Sequence, residues 1–307
     1  MALSVVHAPL AVAKAFSPGH ITGFIHRPAE TTVSHLHLGS LGAGFSIDHG
    51  ITTTVKVHQS SRLDYTIWLN GQIGQDVEVS RWVLEEYLKL INRSNCRIDV
   101  EHETSIPIGF GLGSSGAAAL SLSYALNEAL GVGLSKKQAA QIAHHAEIAC
   151  KTGLGTVIAE FAGGFEMRTS IGAPGIGIVE KMELKDHKAI ILCISPISTK
   201  SFLNNHIDLV NELGEKMLKR LKLSRDVNDF LKMSYDFAGA LQLTEGSCKA
   251  PIQSLKSNGF NCGVALFGET VFTIVPTTKT REVKDCLTGL KGSLTVCNIA
   301  STGARVL

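Results

Sequence analysis

The chain has 307 residues, 44% of them hydrophobic and 18% charged, with a net charge of +2. That length accommodates two domains or one large one. So small a charge, with no basic run, argues against nucleic acid or an acidic membrane surface as the main partner.

Met1 to Phe16 is apolar but lacks a basic start and is interrupted by His7, Pro9 and Lys14, so it reads poorly as a signal peptide. No apolar run reaches the length of a membrane span. The seven cysteines are odd in number and scattered, without a C-x-x-C pair, which points to reduced thiols and a cytoplasmic protein.

In chain order, Leu3 to Phe16 predicts one or two short strands broken near Pro9, and Ser17 to Gly23 a turn-rich loop carrying Ser17, His20 and Thr22. Gly39 to Gly50 is glycine-rich and reads as a turn or as a wall of a substrate pocket. Its polar candidates are Ser40, Asp48 and His49, with Asp48 better suited to a turn than to catalysis. Strands are predicted at Ile51 to Val57 and Asp64 to Asn70, a helix at Val77 to Leu90, and a half-buried strand at Arg97 to Glu103.

Pro107 to Ala119 reads P-I-G-F-G-L-G-S-S-G-A-A-A and opens a helix over Ser114 to Leu130. Glycines at a helix start leave backbone N–H groups and the positive helix end accessible to an anion, so the stretch is a candidate phosphate cradle. Ser135 with Gln138 forms a capping-box signature for the next helix, which carries Glu147 and ends in Thr152-Gly153-Leu154-Gly155-Thr156. Taken alone, Glu147 reads as a solvated residue paired with Lys151 at i+4.

Phe165 to Thr169 is a strand bearing Arg168, and Gly172 to Gly177 reads as a linker to a second domain. Beyond it lie a buried strand at Ala189 to Ile194 and helices at Phe202 to Leu221, Arg225 to Leu243 and Cys248 to Lys256. A hairpin over Cys262 to Val275, a helix at Thr280 to Leu290 and a strand at Leu294 to Asn298 complete the chain. Strands with packed helices in this order make an α+β second half.

Several chemistries fail on inspection. Gly111-x-Gly113-x-x-Gly116 matches a dinucleotide fingerprint, but the region about 20 residues on holds Lys136-Lys137 rather than an acidic residue after a second strand. There is no G-K-[ST], no zinc-type histidine spacing and no G-x-S-x-G at Ser114 or Ser115. A nucleotide kinase needs only a phosphate cradle, oxygen ligands for Mg²⁺ and a positioned hydroxyl acceptor. Ser115 and Glu147 could supply those ligands if their helices pack side by side.

P-I-G-F-G-L-G-S-S-G-A-A resembles the second motif of the GHMP small-molecule kinases. S-P-G-H-I-T-G-F at Ser17 to Phe24, G-S-L-G-A-G at Gly39 to Gly44 and A-E-I-A-C-K-T-G-L-G at Ala146 to Gly155 resemble the archaeal pantoate kinase branch of that superfamily. So do G-G-F-E-M-R at Gly163 to Arg168 and the closing G-A-R-V at Gly303 to Val306.

The resemblance implies an α+β GHMP kinase fold: a ribosomal-S5-domain-2-like ATP-binding half over residues 1–180 and a ferredoxin-like half over 181–307. It implies ATP-dependent phosphorylation of pantoate to 4-phosphopantoate, towards coenzyme A, with Mg²⁺ as cofactor and a homodimer as a possible assembly. ATP would lie along Pro107, Gly109, Gly111, Leu112, Gly113, Ser114, Ser115 and Gly116. Ser115 and Glu147 would face the metal and form the catalytic group with Thr156. Arg168 would hold the pantoate carboxylate, beside His20 and Ser40. Similar enzymes carry an aspartate where this chain has Thr156. Three accounts stay open: no base is needed, Asp48 or His20 replaces it, or the protein is a weak or lost kinase. The alternatives are a kinase for another small alcohol, of the homoserine or mevalonate type, and a non-catalytic ATP-binding sensor.

Overall fold

A computed structural model describes residues 8–28, 34–75, 77–91, 95–197 and 207–307. The start of the predicted first strand and residues 202–206 of a predicted helix lie outside them. Two sheets organise the described chain. The first has eight strands: β1 (Ala11–His26), β2 (Leu41–Gln59), β3 (Asp64–Leu69), β4 (Gln72–Ile73), β5 (Cys96–Thr104), β6 (Phe165–Ser170), β7 (Ile178–Met182) and, from the far end of the chain, a two-residue strand at Arg305–Val306. That terminal strand pairs with β1, which pairs with β2; β5, β3 and β4 follow in that order. β6 joins the other end of β2 over Gly42 to Phe45, and β7 joins β6. Among the described residues of this sheet only β3 and β5 run parallel.

Three helices cover one face of this sheet: α1 (Glu78–Leu90), α2 (Ser114–Leu130) and α3 (Lys136–Cys150). α2 is central, and twelve of its 17 residues are buried. Its Ala/Leu/Ser composition suits such a place, because small side chains permit close packing all round and each buried serine finds an acceptor. Ser121 donates to the Ala117 carbonyl at 2.7 Å and Ser123 to that of Ala139 at 2.6 Å. α3 begins with the predicted capping box, Ser135 and Gln138 satisfying each other's backbone N–H groups.

The second sheet is antiparallel: β8 (His187–Pro196), β9 (Gly263–Val264), β10 (Gly268–Pro276) and β11 (Ser293–Asn298), in the order β11-β8-β10-β9. Helices α5 (Ile207–Ser224), α6 (Val227–Ala240), α7 (Lys249–Ser257) and α8 (Thr280–Leu287) accompany it, α4 (Thr156–Ala162) belonging to the first half. Phe24, Phe45 and Phe165 of the first sheet meet Phe230 of α6 and Phe272 of β10 in one continuous core.

Four expectations are corrected. Ser17 to Gly23 is not a loop but the middle of β1: the missing N–H of Pro18 is tolerated at a register shift between Pro18 and Gly19. Gly39 to Gly50 is mostly strand, its glycines marking close approaches rather than a turn. Gly172 to Gly177 is not an inter-domain linker but the connection between β6 and β7 within the first sheet. The predicted helix at Thr280 to Leu290 also stops early, at Leu287.

Candidate active site

The segment from Pro107 to Gly113 leads from β5 into α2. Gly109, Gly111 and Gly113 all have positive φ (85°, 75° and 69°), a region in which a side chain is strained. Gly111 also sits where a Cβ would lie 2.4 Å from the Leu266 carbonyl. Both sheets clamp the loop. The His20 N–H donates to the Leu112 carbonyl at 3.0 Å, the Ile197 N–H to Gly109 at 2.9 Å, and the Thr270 hydroxyl to Phe110 at 2.9 Å. Leu112 itself points into the core. α2 starts without a side-chain cap and without an acidic residue in its first turn, so its N-terminal field is available to an anion.

Ser115 lies on that first turn and donates to Glu147 Oε1 at 3.0 Å. Glu147 is therefore not a surface partner of Lys151: it is 1% exposed, because α3 lies alongside α2 and turns this residue inward. Burial raises its pKa to about 7, while hydrogen bonds from Ser115 and the backbone N–H groups of Val157 and Thr156 oppose the rise. Thr156 is the first residue of α4, so the start of this short helix faces the Glu147 carboxylate. Gly153 in the intervening turn leaves room for this carboxylate, since a Cβ there would lie 2.1 Å from Glu147 Oε1 and displace it. Ser40 is buried near Gly155, the residue before α4.

On the sheet beside this turn, His20, Glu166 and Arg168 form a buried polar row. Glu166 Oε1 accepts from Arg168 Nη1 at 2.7 Å and lies 2.9 Å from His20 Nε2. Thr22 Oγ1 lies 3.3 Å from His20 Nδ1. Burial pushes the His20 pKa down, so the neutral imidazole donates through Nε2 to Glu166 and accepts at Nδ1 from Thr22. The Arg168 charge, with its neighbour His20, in turn holds Glu166 ionised against the penalty of burial. The register explains the glycines opposite: Gly44 pairs with Glu166 and Gly42 with Arg168. A Cβ on Gly44 would lie 2.6 Å from the His20 ring, and one on Gly42 would lie 3.0 Å from Arg168 Nη2.

The fold thus brings Ser115, Glu147, Thr156 and the glycine loop together, and ties His20 to that loop and, through Glu166, to Arg168. Asp48 is not drawn in. Its carboxylate accepts from the Asn298 backbone and side-chain amides and pairs with His49. Beside Ser114 and Ser115 a cleft of about 350 Å³ runs between α1 and the loop, with Leu69, Val79, Ile108 and Ala118 as apolar walls and Ser80 and His102 as polar ones.

Residues 79–164 match the GHMP kinases N terminal domain. The chain is 34% identical to a pantoate kinase of Methanocaldococcus jannaschii, over 92% of this chain and 99% of that protein. It is 28% identical to a pantoate kinase of Thermococcus kodakarensis, over 95% and 97% respectively. The chain belongs to the pantoate kinase family. Among solved structures, a phosphotransferase related to the CoA biosynthesis pathway superposes with a TM-score of 0.88 at 24% identity, covering 96% of this chain and 98% of that one. A homoserine kinase from Cytophaga hutchinsonii superposes at 0.70 with 18% identity, each chain fully covered. These likenesses establish the GHMP kinase fold.

Two carboxylates of this pantoate kinase family member were not read as site residues from sequence. Glu166 stood inside a quoted motif, two residues from Arg168 on the same strand, but nothing in the sequence showed that His20 of β1 would reach the same carboxylate across β2. Glu160, on α4, is fully buried against the glycine loop. Its spacing of four from Thr156 placed both on one helical face, and that was the one available signal. His144 is also buried, with Nε2 at 3.2 and 3.1 Å from the His35 and Leu38 carbonyls, where it anchors the segment before Ser40.

Proposed function

We propose that the enzyme transfers the terminal phosphoryl group of ATP to the 4-hydroxyl of pantoate, giving ADP and 4-phosphopantoate. The bond from the terminal phosphorus to its bridging oxygen breaks, a bond to the acceptor oxygen forms, and the hydroxyl proton is released. The observation that carries this reading is the contact of Ser115 with buried Glu147 at the uncapped start of α2. A hydroxyl and a carboxylate are hard oxygen donors, which fit Mg²⁺. Bound there, the ion would neutralise phosphate charge.

The chain's own residues supply the rest. The N–H groups of the first turn of α2 and the loop at Gly111, Gly113 and Ser114 would receive the phosphates, and the neighbouring cleft suits the nucleoside. Arg168 would hold the acceptor carboxylate; its Nε is buried without a partner among the described residues and is a donor suited to a carboxylate oxygen. His20 acts through this row rather than as a base, because Glu166 and Thr22 occupy both ring nitrogens. Thr156 cannot accept a proton at neutral pH. Phosphoryl transfer through a loose transition state rests mainly on positioning and electrostatics, which these residues provide.

ADP release measured over pantoate, homoserine, mevalonate and shikimate tests the reading. Turnover with pantoate is expected. Turnover with another alcohol alone would keep the kinase and discard the acceptor, and ATP binding without turnover on any acceptor would make the protein a sensor.

A further inference from the structure

Glu160 is 0% exposed, and among the described residues neither of its carboxyl oxygens has a hydrogen-bond partner. It lies against the first turn of α2. A Cβ on Gly116 would be 2.6 Å from Glu160 Oε2 and 3.2 Å from Glu147 Oε1. A Cβ on Gly113 would be 2.5 Å from Glu160 Oε1 and 3.0 Å from Thr156 Cγ2. Two buried carboxyl groups thus flank one glycine, with the Ser115 hydroxyl bonded to one of them.

A buried carboxyl without a hydrogen-bond partner is costly, and a second carboxyl nearby adds repulsion. A group of this kind keeps its proton or is balanced by a cation that arrives. A divalent ion does so with one or two carboxylates and leaves the rest of its shell to phosphate and water. Thr156 and Glu160, one helical turn apart on α4, face the same glycine, and Glu160 is the one that brings a carboxylate to it.

We infer that Glu160 is a second carboxylate of the cation site, acting with Ser115 and Glu147 on the divalent ion that accompanies ATP. The inference rests on the reading that Ser115 and Glu147 face that ion. It assigns Glu160 a ligand's task and not that of a base for the acceptor hydroxyl.

Mn²⁺ is the probe. Its binding to the full chain saturated with a non-hydrolysable ATP analogue is measured by electron paramagnetic resonance for the wild type, Glu147→Gln and Glu160→Gln, with metal-free ATP affinity and melting temperature as controls. Glu160→Gln preserves shape while removing the charge. It is expected to weaken Mn²⁺ binding at least about tenfold, as loss of a charged ligand contact does, with metal-free ATP affinity and melting temperature held. Wild-type Mn²⁺ affinity in Glu160→Gln, beside weakened binding in Glu147→Gln, would overturn the inference and leave Ser115 and Glu147 as the cation residues. Unchanged binding in both variants would remove the cation reading itself. Should Glu160→Gln fail to fold, Glu160→Asp keeps the charge but shortens the reach, and the same comparison applies.

Discussion

At the scale of single residues, the proposed acceptor side of the site depends on a buried ion pair with a shared carboxylate oxygen. Arg168 is 1% exposed and Glu166 0%, so each needs the other. Removing one partner of such a pair leaves an uncompensated charge, and Glu166→Ala should therefore lower stability by about 3–5 kcal/mol, read from denaturant unfolding. Arg168→Ala should act differently on catalysis. Losing a charge-assisted contact to a carboxylate should raise the pantoate KM roughly 10- to 100-fold, with the ATP KM nearly unchanged. Steady-state kinetics with each substrate varied in turn checks it, and a rise confined to ATP would contradict the assignment. Glu166 shows why residue-scale reading from sequence stopped short. Arg168 was visible as a cation on a strand, but its counter-charge is two positions away on the same face, and burial is what makes that partner obligatory.

At the scale of elements, glycine placement in β2 is the informative feature. From sequence, the stretch holding Gly42 and Gly44 read as a turn or a pocket wall; the structure keeps both in a long strand, where the β1 backbone and neighbouring side chains crowd over them. Gly44→Ala would drive a methyl group into the His20 ring and to 2.4 Å from the Ile21 carbonyl. The expected cost is about 1–3 kcal/mol of stability, as for other overpacked sites. The pantoate KM should rise with it, since the His20–Glu166–Arg168 row is displaced; thermal unfolding and kinetics on one preparation check both. Helices were more legible. α2 was predicted with its observed bounds and α3 with its capping box, because both signals lie within a few residues. The strand status of Ser17 to Gly23 was not legible, because Pro and Gly mark turns unless a partner strand and a bulge absorb them.

At the scale of the whole molecule, the two sheets share a core, and the glycine loop before α2 is held from both sides of it. His20 of β1 and Thr270 of β10 donate to neighbouring carbonyls of the loop. The terminal segment closes the first half: the Ala304 N–H donates to the Glu160 carbonyl at 3.0 Å, and Val306 pairs with Ala15. Stability of the assembled fold should respond to pH through two buried histidines. His102, between Thr53 at 2.7 Å and Ser80 at 2.9 Å, and His144 on α3 both have pKa values lowered to about 4, chiefly by burial. The unfolded chain binds protons at these positions below about pH 6.5, whereas the folded chain resists them until about pH 4. Their contribution is complete above pH 6.5 and is lost as pH falls towards 4, by up to ~3 kcal/mol for each histidine. Buried Glu147, with its pKa raised to about 7, works in the opposite direction over the same range. The check is therefore a comparison: between pH 7 and 4 the melting temperature of His102→Gln should shift less in this direction than that of the wild type.

The sequence by itself determined the kinase family, the glycine cradle, the helices that flank it and the pairing of Ser115 with Glu147 as a hypothesis. Those features are written in local spacing and in motifs short enough to read along the chain. Only the tertiary structure decided that Glu147 is buried against Ser115 rather than solvated beside Lys151. It alone placed His20 in a strand, set Asp48 apart with Asn298, and set Glu166 and Glu160 beside residues distant in sequence or on neighbouring elements. The reason is physical. A carboxylate's role follows from how much water it loses and which charges replace that water, and both are fixed only when separate strands and helices pack together.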